Sequence, residues 1–217
     1  MSTQEIVVKI KEKLKKSGWY DDLRIFLESS DFGGIVDELR KKVEVDNQRF
    51  CPNLGKAFRF MEEVPSKKIK AVLFLDYIPN RLQFSDGISL SSPSDIVDSI
   101  QIDIIRSAGF PKMHIIDKWI EQGLFIMPLA LTTRIEGKPH KKIWEPFIMR
   151  LIEVINKKHP NIPWVLLGSD TWKYEEDIDS NYIKKIELKT PLAERDWANW
   201  IDECLSIQNK TSINWLT

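Results

Sequence analysis

The chain has 217 residues, 42% of them apolar and 29% charged, which is enough to bury one sizeable core. Nothing in the composition divides it, so a single domain over residues 1–217 is expected. Lysine plus arginine and aspartate plus glutamate balance at 32 each, which excludes attraction to nucleic acid through net charge and leaves that role to a local patch.

The opening segment places Ile6, Val7, Ile10 and Leu14 on one helical face among lysines, without the continuous apolar stretch of a signal peptide. No run reaches the roughly 18 apolar residues of a membrane span, so a cytoplasmic protein that does not enter the membrane is expected. Trp19 to Leu27 and Phe32 to Val45 read as two amphipathic helices, followed by a Pro-bounded connection from Asp46 to Lys70. Ala71-Val-Leu-Phe-Leu-Asp76 is a continuous apolar run ending in a carboxylate, the pattern of a buried parallel strand.

Pro93-Ser94-Asp95 opens a helix to about Ser107, with Ser94 as its N-cap. A helix from near His114 to Gln122 leads into a second strand, Gly123 to Met127. Trp144, Phe147, Ile148, Leu151, Ile152 and Ile155 step at three and four along a further helix. Trp164 to Leu167 makes a third strand and Lys184 to Leu188 a fourth, before a last helix around Trp197 to Leu205. This alternation predicts a three-layer α/β/α fold with a central four-stranded, mostly parallel sheet, in which ligands bind beyond the carboxyl ends of the strands.

Two cysteines, Cys51 and Cys204, lie far apart without CxxC spacing, and the three histidines are scattered. Neither a metal site nor a disulfide framework is supported, and no cofactor is expected.

The strand ends carry an ordered set of motifs. An Asp follows strand one, Trp119-Ile-Glu-Gln-Gly-Leu-Phe-Ile-Met-Pro-Leu-Ala-Leu-Thr132 spans strand two, Gly168-Ser169 follows strand three, and Thr190-Pro191-Leu192 lies near the end. His140-Lys-Lys-Ile-Trp-Glu-Pro-Phe147 and Ile213-Asn-Trp215 complete the set. Together they resemble the uracil-DNA glycosylase family, whose corresponding segments read Trp-x-x-Gln-Gly-Val-Leu-Leu-Leu-Asn-x-x-Leu-Thr and Ser-His-x-x-x-Gly-Trp-Glu-x-Phe. The likeness covers nearly the whole chain and implies a DNA-facing protein that extrudes a nucleotide and hydrolyses its N-glycosidic bond.

By that resemblance, Ser94, Gly168, Ser169 and Thr190 sit in DNA-binding loops, and Leu192 matches the wedge that fills the gap left by the extruded base. The water-activating loop Gly-Gln-Asp-Pro-Tyr-His reads Phe74-Leu75-Asp76-Tyr77-Ile78-Pro79 here, so only Asp76 is kept as the catalytic carboxylate. The base pocket falls on Tyr77, Ile78, Leu90 and Pro128. Ile78 stands where the family has its methyl-excluding tyrosine, and Leu90 where uracil stacks on phenylalanine. Pro128 replaces the asparagine that pairs with the uracil edge and offers no side-chain donor or acceptor. The anion-stabilising histidine has no counterpart at Leu188-Lys189-Thr190-Pro191-Leu192.

The resemblance and the departures from it imply three readings. The first is a member impaired or inactive on uracil that binds DNA or a protein partner through the old DNA face. The second is an N-glycosylase of altered base specificity using Asp76. The third keeps uracil excision through Tyr77, Glu187 or Lys189. Trp197 and Trp200, three apart beside the wedge loop, read either as core or as an exposed stacking platform.

Overall fold

The computed structural model describes residues 2–76, 87, 115–187 and 197–215. The expected helix from Pro93 to Ser107 lies outside them. Helix α1, Thr3–Lys16, starts in a capping box: Ser2 Oγ accepts from the Glu5 amide at 3.2 Å and Glu5 Oε2 from the Ser2 amide at 2.7 Å. Ile10 and Leu14 are buried, while Ile6 and Val7 pack half-buried against the core. Gly18, at φ +79°, turns the chain through the left-handed region into α2, Trp19–Leu27. Ser29 then caps α3, Ser30–Glu44, accepting from the Phe32 amide at 3.4 Å.

The segment read as a bare connection contains two short elements, strand β1, Phe50–Cys51, and helix α4, Arg59–Glu63. Each is too short for a repeat in the hydrophobic pattern, and β1 exists only because it pairs antiparallel with β4, Thr133–Arg134. Strand β2, Ala71–Leu75, is buried at all five positions. It is followed among the described residues by α5, Ile115–Glu121, and by β3, Leu124–Pro128. Helix α6, Lys141–Lys158, leads to β5, Trp164–Leu167, and a 3-10 segment, Ser169–Asp177. Strand β6, Ile183–Ile186, and helix α7, Trp197–Ile207, close the order.

Strands β3, β2, β5 and β6 form, in that spatial order, one sheet in which every neighbouring pair is parallel. Helices flank it in a three-layer α/β/α arrangement. The expected sheet is thus the observed one, with strand two running one residue further and strand four ending at Ile186. Pro128 is tolerated inside β3 because, among the described residues, β3 pairs only with β2. The next residue, Leu129, donates its amide to Leu75 O at 2.8 Å, so the amide position of Pro128 faces away from the ladder.

Chain direction locates the ligand-binding end. The chain leaves β2 for its neighbour β3 on one side, whereas it leaves β5 for β6 on the other. Adjacent strands whose connections depart in opposite directions open a crevice at their carboxyl ends. Residues 76 and 168 onward therefore stand at the mouth of that crevice.

Trp19, Trp119, Trp144, Trp197 and Trp215 are all buried, and Trp197, at 1% exposure, is core rather than part of a stacking platform. Trp200 is half-buried, with the Lys184 ammonium 5.7 Å above its ring. Cys51 and Cys204 are both buried and are not joined by a disulfide. No helix among the described residues is long and apolar enough to cross a membrane.

Candidate functional site

Asp76 is placed by the strand that precedes it. Its amide donates to Leu167 O of β5 at 2.8 Å, which fixes the residue across the crevice and leaves its side chain 17% exposed at the mouth. Pro128 is paired in register with Leu75, one residue before Asp76. Gly168 turns β5 into the 3-10 segment at φ +99°, ψ +137°, a conformation that a side chain would strain. Its amide donates to Ile186 O at 2.8 Å and its carbonyl accepts from Thr171 Oγ1 at 2.7 Å, so the turn is held from both sides and Ser169 is left exposed.

The sheet thus brings Asp76, Pro128, Gly168 and Ser169 together at its carboxyl end. Glu187 is exposed directly after β6, at the edge of the same end. Tyr77, Ile78, Leu90, Ser94, Lys189, Thr190 and Leu192 lie outside the described residues. Among those described, no group of three His, Cys, Asp or Glu side chains could hold a metal ion.

Two charged residues at the mouth were not singled out by the sequence. Lys141, the first residue of α6, places its ammonium 2.5 Å from Asp76 Oδ1 and 2.5 Å from Asp170 Oδ2. A signal for it was present. Lys141-Lys142 opens a helix whose first turn contains no acid, and a cation there opposes the helix dipole unless carboxylates from elsewhere compensate it. Burial pushes the Asp76 carboxyl above the ordinary carboxylate range, Asp170 adds to that, and Lys141 only partly reverses it. Burial alone would lower the Lys141 ammonium, but its hydrogen bonds to Asp170 and Asp76 more than offset this and leave it above the usual lysine range. Lys141 is therefore protonated at neutral pH.

The residue before Lys141 is anchored in its turn. His140 Nδ1 is 3.0 Å from Thr132 Oγ1, the His140 amide donates to Thr132 O at 3.1 Å, and Thr132 Oγ1 accepts from Trp144 Nε1 at 2.8 Å. The Phe50 ring meets the imidazole edge-on at 5.8 Å. His140 Nε2 is buried without a hydrogen-bond partner among the described residues. Burial first, and the charge of Lys42 second, hold His140 down at about 4, so the imidazole is neutral at neutral pH.

No protein-family model matches the chain. It is 24% identical over 188 residues to the uracil-DNA glycosylase of Streptococcus mutans, covering 82% of this chain and 84% of that one. It is 28% identical over 163 residues to the uracil-DNA glycosylase of Clostridium beijerinckii, covering 69% and 72%. Its fold superimposes on the crystal structure of mimivirus uracil-DNA glycosylase with a TM-score of 0.78, at 21% identity over 92% of this chain and 86% of that one. In sequence and in fold the chain is similar to the uracil-DNA glycosylases. The similarity is at modest identity, and it extends over most of the length of these bacterial glycosylases. A mimivirus variant has also been crystallised in complex with UGI, and it matches at a TM-score of 0.80 and 22% identity over 92% of this chain and 88% of that one.

Proposed function

We propose that this uracil-DNA glycosylase-like chain is a single-domain DNA-binding protein in which uracil excision is lost or strongly reduced. The observation that carries the reading is the ion pair at 2.5 Å between Asp76 Oδ1 and Lys141 Nζ. Glycosidic hydrolysis through an oxocarbenium-like sugar needs a carboxylate that accepts a proton from water and opposes the developing positive charge. The charge of a carboxylate already paired with an ammonium is largely cancelled at the point where a sugar cation would form, and one of its oxygens is occupied.

Pro128 supports the same reading. At the place the resemblance gives to the uracil-reading asparagine, it presents no donor or acceptor. Loss of one such electrostatic or hydrogen-bonding stabiliser typically costs about 10²- to 10³-fold in rate. On the resemblance, the stacking ring and the anion-stabilising histidine are replaced as well. Ser169 and the Gly168 turn, by contrast, keep an exposed hydroxyl and a rigid backbone suited to a phosphate oxygen.

Incubation with single- and double-stranded uracil DNA, followed by alkaline cleavage of abasic sites, tests the first half. Wild type is expected to release no more uracil than Asp76→Asn, and clear excess product from wild type would overturn the reading. A gel shift at low salt tests the second half, with retention of duplex expected. No shift, with a protein recovered instead in a pull-down, would move the function of this face to a protein partner.

A second reading is favoured by one observation. Asp76 remains at the strand end with its carboxyl raised by burial, as suits a general base working nearer neutral pH. Product from thymine mismatches or modified pyrimidines, above that of Asp76→Asn, would assign an N-glycosylase of altered base specificity.

A further inference from the structure

The outer arm of the Lys141 bridge plays no part in that reading. The three side chains grade outward, from 17% exposed at Asp76 through 30% at Lys141 to 56% at Asp170. The inner pair aims the ammonium, while the outer pair meets solvent. An exposed carboxylate holds an ammonium weakly, because both partners are well hydrated and each side chain loses freedom in the pair. A phosphate oxyanion presented at the same point competes for it effectively. Asp170 directly follows the exposed Ser169, so an anion bound at Ser169 lies next to the residue that holds Lys141.

The segment carrying Asp170 does not depend on this contact. Thr171 and Tyr174 are buried, Trp172 Nε1 donates to Leu166 O at 3.3 Å, Lys185 holds Glu175 at 2.6 Å, and Lys173 pairs with Glu145. Asp170 can therefore release Lys141 while its backbone stays in place.

We propose that Asp170 is an internal stand-in for a DNA phosphate, occupying Lys141 in the free protein and giving way to a backbone phosphate at Ser169 when DNA docks. The inference rests on the DNA-binding reading of this face. It adds the residue that makes the contact, Lys141, and the residue that competes for it, Asp170. Asp76 keeps the ammonium directed at the mouth throughout.

The test is a fluorescence-anisotropy titration of labelled duplex over a series of chloride concentrations, using wild type, Asp170→Asn, Lys141→Met and the double variant. Asp170→Asn is expected to tighten binding about fivefold by removing the competitor. Lys141→Met is expected to weaken binding and to reduce the slope of log affinity against log salt by about one, as for one lost phosphate contact. In the Lys141→Met background, Asp170→Asn should have little effect.

An Asp170→Asn variant that binds like wild type overturns the proposal. Equal tightening with and without Lys141 also overturns it, since removal of any negative charge would then suffice. Lys141→Gln provides the same comparison if the methionine variant does not fold, with melting by circular dichroism as the control. Wild type that binds duplex with Lys141 indifferent rejects this inference alone, whereas wild type that binds no DNA at low salt rejects the DNA-binding reading along with it.

Discussion

Trp215→Ala is expected to remove about 3–5 kcal/mol of folding stability, the range for deleting a large aromatic side chain from a packed core. Trp215 is 4% exposed and meets the Trp119 ring at 5.5 Å and the Trp197 ring at 5.4 Å, both near edge-on. Its carbonyl accepts from Trp119 Nε1 at 3.2 Å, and its own Nε1 donates to Asp202 Oδ2 at 2.8 Å. One side chain thus joins α5, α7 and the C-terminal segment, and alanine would leave a cavity between two tryptophans as well as a carboxylate oxygen short of a donor. For a chain of this size the loss corresponds to a fall in Tm of about 10 °C. Trp215→Phe keeps a ring in the cluster and should cost less, about 1–2 kcal/mol through the lost indole hydrogen bond. Urea denaturation of the two variants checks both figures. An alanine variant within 1 kcal/mol of wild type would show that the clasp contributes little to stability.

Acidification from pH 7 to 4.5 is expected to remove about 2 kcal/mol through His140 alone, after allowance for its partial exposure. The sign follows from the depressed value. His140 titrates at about 4 in the folded chain against 6.5 for the free imidazole, so the unfolded chain takes up the proton first as the pH falls. The contribution is complete above pH 6.5 and is lost progressively down to about 4. His159, also lowered by burial, acts in the same direction, whereas Asp76, raised by burial, acts in the opposite one. The measurement is denaturant unfolding of wild type and His140→Asn at the two pH values, asparagine replacing the Nδ1 contact to Thr132 with a group that does not titrate. Wild type should lose about 2 kcal/mol more than the variant. Equal losses would remove His140 as the origin of the acid sensitivity. Because His140 immediately precedes Lys141, its protonation also disturbs the start of α6, so acid unfolding is expected to begin beside the candidate site.

The long elements were legible because their periodicity is long. Trp19–Leu27 and Trp164–Leu167 coincide with their expected limits, and the six apolar positions from Trp144 to Ile155 mark the face of α6 that is buried. The strand-end residues Asp76, Pro128, Gly168 and Ser169 could be singled out in advance because a parallel sheet gathers the carboxyl ends of its strands at one place. Strands β1 and β4 could not be read, since two-residue ladders are made by long-range pairing and leave no local pattern. Of the two readings open for Trp197, the structure selects core, and the sequence could not decide between them for a related reason. Its burial depends on Trp215 returning to cover it, which residues 197–200 do not encode by themselves.

The sequence by itself determined the parallel sheet, the long helices among the described residues and the presence of a carboxylate at the end of β2, because burial on both faces of a strand and one face of a helix writes a repeating apolar pattern. Only the tertiary structure decided what that carboxylate touches. Lys141 lies 65 residues after Asp76 and 29 before Asp170 in the chain, and no local pattern connects them. Their contact exists because the crevice between β2 and β5 brings the start of α6 to its mouth, where two carboxylates compensate an ammonium that the helix dipole alone would disfavour.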